Sequence, residues 1–126
     1  MKLPEQLQYT ESHEWLRGES DETLTIGITD YAQQSLGDVV FIELPKVGRK
    51  VAAQEACAII ESVKAAADIY APVAGEIVGI NSELPQVPEK INEDPYQAWL
   101  FKIRPDNLQN KGNLLDAKAY QALIGE

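Results

Sequence analysis

The sequence predicts a mainly β fold, a flattened barrel or sandwich hybrid of two pseudo-symmetric halves, with one short internal helix and one C-terminal helix. Three observations lead there. Short β-branched runs alternate with Pro and Gly turns along most of the chain, the pattern of small sandwiches and barrels. Helical patterning is confined to two stretches. A weak internal repeat aligns Gly37-Asp38-Val39-Val40-Phe41-Ile42 with Gly75-Glu76-Ile77-Val78-Gly79-Ile80, and Pro45-Lys46-Val47-Gly48-Arg49-Lys50-Val51 with Pro85-Gln86-Val87-Pro88-Glu89-Lys90-Ile91. At 126 residues and 44% hydrophobic content the chain can bury one core and is too short to expect two, so residues 1–126 read as a single domain.

The elements follow in order. Residues 14–17 and 23–28 flank the polar Gly18-Glu19-Ser20-Asp21-Glu22 turn and read as a hairpin, with Leu24, Ile26 and Ile28 on one face. Thr29 is placed to cap a helix over residues 30–36, which Gly37 ends. Lys64 interrupts two apolar runs, Ala56-Cys57-Ala58-Ile59-Ile60 and Ile69-Tyr70-Ala71-Pro72-Val73, as a lysine at a hairpin tip does. It falls between the repeat copies, so the hairpin is expected to cross from one half to the other. Gly75 is expected in a turn that needs positive φ. Residues 98–103 supply a closing strand that Pro105 stops. The tail reads as a helix from Asn113, its cap, with Asp116 in the first turn and an apolar stripe of Leu115, Ala119, Ala122 and Leu123 packed on the sandwich.

Composition narrows the function. Eleven basic against twenty acidic residues give a net charge of −9, which repels nucleic-acid phosphates and anionic membranes. Such a surface either suits docking on basic patches of larger proteins or only keeps the chain in solution. One cysteine, Cys57, excludes an internal disulfide, and there is no Cys/His cluster for a metal. Its apolar surroundings make Cys57 a core residue, and a reducing compartment is expected. The first residues carry no signal-like apolar region, and no segment reaches membrane-spanning length, so a cytoplasmic location is expected.

The inventory for catalysis is poor: His13 is the only histidine, and neither a Gly-x-Ser-x-Gly elbow nor a Gly-rich phosphate loop is present. A Schiff-base lysine needs a desolvated pocket that lowers its pKa, whereas a lysine at a tip is solvated and cationic. Lys64 is then either an ordinary surface lysine or one that another enzyme acylates. Tethering in the second case carries a group between active sites at high effective concentration.

The strings Tyr9-Thr10-Glu11-Ser12-His13-Glu14-Trp15, Ile26-Gly27-Ile28-Thr29-Asp30-Tyr31-Ala32-Gln33, Glu61-Ser62-Val63-Lys64-Ala65 and Asn92-Glu93-Asp94-Pro95-Tyr96 resemble the glycine cleavage system H protein family. The likeness extends over nearly the whole chain, through Leu36-Gly37-Asp38-Val39-Val40-Phe41-Ile42-Glu43-Leu44-Pro45 to Trp99-Leu100, Leu114-Leu115 and Ala119-Tyr120. Biotin carriers resemble Met-Lys-Met and dehydrogenase lipoyl domains Asp-Lys-Ala; Ser62-Val63-Lys64-Ala65 departs from both. It departs from the family pattern where Gln97-Ala98 stands in place of a longer glycine-bearing stretch.

The resemblance implies a lipoyl/biotinyl-carrier-like fold and lipoate attached to Lys64, with Glu61 helping the lipoate-attaching enzyme recognise the hairpin. It implies a non-catalytic, monomeric shuttle that takes an aminomethyl group from a pyridoxal-phosphate glycine decarboxylase to an aminomethyltransferase and electrons to dihydrolipoyl dehydrogenase. The alternative is a related carrier or lipoate relay serving another lipoyl-dependent system. Ser12, Glu14 and Asp68 match polar family positions beside a cleft where the loaded arm rests, Glu14 as a surface carboxylate. His13 either borders that cleft or packs beside Trp15, and packing is expected.

Overall fold

The computed structural model describes residues 1–107 and 114–125. Nine strands, β1 (Gln8–Tyr9), β2 (Glu14–Gly18), β3 (Leu24–Ile28), β4 (Val39–Glu43), β5 (Lys50–Val51), β6 (Ala56–Ser62), β7 (Ala66–Tyr70), β8 (Gly75–Ile80) and β9 (Phe101–Pro105), are described together with helices α1 (Asp30–Leu36), α2 (Lys90–Glu93) and α3 (Ala117–Leu123). They form a six-stranded sheet ordered β1-β2-β3-β9-β8-β5 and a three-stranded sheet ordered β4-β6-β7. Every pairing is antiparallel. The mainly β sandwich is therefore as expected.

Ile26, Ile60, Ile77, Leu100, Phe101 and Ile103 are fully buried and belong to one main core. A second cluster gathers Leu7, Tyr9, Trp15, Tyr96 and Tyr120. Strand β3 is buried along its whole length, because Trp15 covers the face opposite the core. Trp15 pairs with Gly27 across β2 and β3, and a Cβ on Gly27 would come within 2.5 Å of the indole ring. The indole N–H donates to the Pro95 carbonyl at 3.0 Å. Cys57 is buried, and burial pushes its thiol pKa up to about 12.

Helix α1 begins and ends as read: Thr29 Oγ1 accepts from Ala32 N–H at 3.2 Å, and Gly37 leaves the helix at φ 82°. Other expectations are corrected. The first repeat pair forms strands in both copies, β4 and β8, one in each sheet as two halves of a sandwich require, whereas in the second pair Pro45-to-Val51 ends in β5 and Pro85-to-Ile91 coils into a 3-10 turn and α2. Strand β9 starts later than expected, includes Pro105, and lies between β3 and β8. Gly75 is absent from the positive-φ residues; it is the first residue of β8, where an added Cβ would strike the Arg104 backbone carbonyl of β9. Close strand approach is what requires glycine there.

The C-terminal helix is capped by Asp116, whose carboxylate accepts from Ala119 N–H at 2.8 Å. Asn113 lies outside the described residues. The buried residue of α3 is Tyr120, stacked on Tyr9 with ring centroids 4.9 Å apart, while Ala119, Ala122 and Leu123 are exposed. An aromatic ring buries more area than the alanine stripe, and it sets the helix's rotation. No helix among the described residues is long and apolar enough to cross a membrane.

Candidate functional site

Lys64 stands in the turn joining β6 to β7, both in the three-stranded sheet, so the hairpin does not cross between sheets. Ser62 builds this turn. Its backbone N–H donates to the Ala65 carbonyl at 2.7 Å, and its Oγ accepts from Ala65 N–H at 3.1 Å and Lys64 N–H at 3.3 Å. Serine hydroxyls take this role in turns by satisfying backbone donors that a strand would leave open. Val63 N–H donates to the Asp38 carbonyl at 3.0 Å, pinning the tip beside the end of α1.

The lysine itself is exposed, with its stem over Gly37: a Cβ at that glycine would stand 3.5 Å from Lys64 Cε. Around it the surface is apolar, with Val63 69% exposed and Val40 and Phe41 uncovered at a bulge in the β4 edge. Glu61, three residues before the lysine, is exposed but lies in β6, opposite Phe41 on one side and Ala66 on the other, rather than in the turn.

A cavity of about 360 Å³ lies between α1 and β7. Ala32 and Leu36 wall it from α1, Ala67 and Ile69 from β7. The Lys64 turn adjoins the end where α1 finishes and β7 starts; Ser12 and His13 line the opposite end, with Asp68 exposed on the β7 side. The walls are apolar and the far end offers polar groups.

Of the three cleft residues expected, Ser12 and Asp68 line the cavity and Glu14 does not. Glu14 is corrected from a surface carboxylate to one that is 1% exposed. Its Oε1 accepts from Thr10 Oγ1 at 2.6 Å and Ser12 Oγ at 2.7 Å, and Oε2 accepts from Tyr70 N–H at 3.4 Å. Burial holds its carboxyl pKa above the ordinary range, against the pull of those three donors. Glu14 therefore reaches the cavity through Ser12.

His13 does not pack beside Trp15. Its ring lies 4.8 Å from that of Tyr31, and Nδ1 is 2.8 Å from the Tyr120 hydroxyl. Sequence reasoning missed Tyr120, which stands 107 positions from His13 with nothing local to join them. Ser62 was legible in principle, as a hydroxyl residue two places before a displayed lysine.

The model of the family described as glycine cleavage H-protein matches residues 7–126. The chain is 57% identical over 124 residues to the glycine cleavage system H protein of Nitrosomonas eutropha, covering 98% of this chain and 96% of the relative. It is 59% identical over 122 residues to that of Aromatoleum aromaticum, covering 97% and 95%. Among solved structures, the crystal structure of a glycine cleavage system H protein from Mycobacterium marinum superposes with a TM-score of 0.89 at 39% identity, covering 98% of this chain and 99% of that one.

Proposed function

The chain belongs to the glycine cleavage H-protein family and is a carrier of the glycine cleavage system, and from that premise we propose that Lys64 bears lipoate in amide linkage and that the cavity between α1 and β7 receives the loaded arm. The observation that carries this reading is that Lys64 sits on a pinned turn with its stem over Gly37, the neighbour of the cavity-lining Leu36. The residues fit the group: an exposed primary amine, with no hydrogen bond or ion pair to its ammonium among the described residues, is open to acylation. When bound, lipoate supplies a disulfide that takes up an aminomethyl group together with two electrons.

The chain's own residues position and protect, and its part is non-catalytic. Acylation removes the Lys64 charge, so the stem lies against Gly37 and Leu36 without burying an ammonium. Ala32, Leu36, Ala67 and Ile69 keep water from what enters. Ser12 and Asp68 receive the cationic amine, and Glu14 orients Ser12 by accepting its hydroxyl proton. Charge-assisted hydrogen bonds of this kind contribute about 1.5 to 3 kcal/mol, roughly a decade or more in the rate of loss. Glu61, exposed on β6, is the recognition point for the lipoate-attaching enzyme. Glycine decarboxylase, aminomethyltransferase and dihydrolipoyl dehydrogenase are the partners that perform the chemistry. Low cysteine usage and the acidic surface support a cytoplasmic location.

Intact mass spectrometry of the protein from its native source tests the attachment. A lipoyl increment is expected, and Lys64→Arg, which keeps the charge and cannot be acylated, is expected to lack it and to lose all glycine-dependent loading. A lipoyl increment persisting in Lys64→Arg overturns the assignment.

A further inference from the structure

His13 is fixed at the polar end of the cavity by an unusual set of ties. Its backbone is left-handed, with φ 74°; its N–H donates to the Thr10 carbonyl at 3.1 Å, and its own carbonyl accepts from Thr29 N–H at 3.0 Å. The ring lies between Tyr31 of α1, at 4.8 Å, and the edge of Tyr120 of α3, at 5.7 Å. Nδ1 is 2.8 Å from Tyr120 Oη, which is 2.8 Å from Thr29 Oγ1, which caps α1. That leaves Nε2 as the ring nitrogen without a protein partner among the described residues, on a side chain that lines the cavity.

The hydroxyl chain admits two proton arrangements. In one, Nδ1–H donates to Tyr120 and Tyr120 donates to Thr29, so Nε2 is a bare acceptor. In the other, Thr29 donates to Tyr120 and Tyr120 donates to Nδ1, so Nε2 carries the proton. The two differ in what Nε2 offers the cavity.

We propose that His13 is a binding residue for the amine end of the cargo: Nδ1–H is held by Tyr120, and Nε2 accepts a hydrogen bond from the cationic amine beside Ser12 and Asp68. This rests on the reading that the arm on Lys64 enters this cavity. The groups around His13 are Tyr31 from α1 and Tyr120 from α3, with Asp68 of β7 lining the same cavity and, on its own segment, Glu14 behind Ser12. The carboxylates favour an imidazolium and burial opposes it; burial is the cause resolved, and it holds the His13 pKa below the ordinary value. A neutral ring accepts from an ammonium, whereas an imidazolium has no lone pair to offer and repels it. Loading and protonation of His13 are therefore mutually exclusive.

His13 is the chain's single histidine, so its imidazole resonances are unambiguous in NMR. The full-length lipoylated protein, with ¹⁵N-labelled histidine and labelled methyl groups, is titrated with acid in the reduced form and again after loading by glycine and the decarboxylase. Loading is expected to lower the apparent His13 pKa by roughly one unit, as a cation placed beside the ring requires, and to shift the ¹⁵N pattern toward the Nδ1–H tautomer. The Leu36 and Ile69 methyl groups report separately on arm entry. If those methyl signals move on loading while the His13 titration and tautomer stay the same, the inference about His13 is overturned and the cavity reading stands. If the methyl signals do not move, the cavity reading fails and takes the inference with it. Tyr120→Phe, which keeps the ring and removes the hydroxyl, is expected to lose the tautomer preference in the loaded form; an unchanged preference overturns the part assigned to Tyr120.

Discussion

Glu14 keeps a carboxylate where charge is costly, and the pH dependence of stability should register it. Its folded-state pKa is raised above the ordinary value mainly by burial. Between those two values the native state binds more protons than the unfolded state, so this group's stabilisation is present at low pH and is lost as pH rises through the folded pKa. Urea titrations should show the parent gaining stability over Glu14→Gln as pH falls from neutrality toward the ordinary glutamate range. A constant difference across that window would show that Glu14 does not titrate as placed. Gly75→Ala is expected to cost about 1 to 3 kcal/mol in the same measurement, as overpacking does, because the new Cβ meets the Arg104 carbonyl. Ser12 and Asp68, singled out by the family resemblance, do line one cavity, and Lys64 was legible as a displayed lysine between two apolar runs. The burial of Glu14 was not, since it comes from Thr10, Ser12 and the β7 backbone closing around it.

At the scale of elements, legibility followed local signals. Helix α1 was readable because Thr29 and Gly37 bracket it, and both act as their chemistry dictates. The start and buried face of α3 were misread because alanine spacing says little, whereas Tyr120 finds Tyr9, His13 and Thr29 only in three dimensions. Thr29 serves two elements at once, capping α1 and joining Tyr120 of α3. Thr29→Ala should therefore cost about 1 to 2 kcal/mol, toward the upper part of the capping range, and exposed Asp116→Ala about 0.5 to 1 kcal/mol. Equal losses in denaturant midpoint would show that the Tyr120 bond adds nothing. Glu61→Ala, on the exposed face of β6, should slow lipoate attachment with a stability change below about 0.5 kcal/mol; unchanged attachment rates would return Glu61 to the surface. The edge strands β1 and β5 have two residues each, which leaves the six-stranded sheet little free edge for pairing with another chain.

For the whole molecule, a net charge of −9 makes encounters with partners sensitive to salt. The initial rate of glycine-dependent loading at low carrier concentration should fall as ionic strength rises from roughly 0.01 to 0.15 M, over which the screening length shrinks from about 30 to about 8 Å. A flat profile would assign the acidic surface to solubility alone. Sulfur chemistry sets a further demand at this scale. The lipoyl arm proposed for Lys64 would take up its cargo by opening a disulfide, and a thiol of the same protein must not compete for that disulfide. Exchange needs an attacking thiolate and a clear approach, and Cys57, the chain's single cysteine, is denied both: it is buried, and its pKa is pushed up to about 12. The core thus insulates the thiol, so that an oxidised arm on Lys64, as proposed, would not be captured by the protein that carries it and would stay available to its partners.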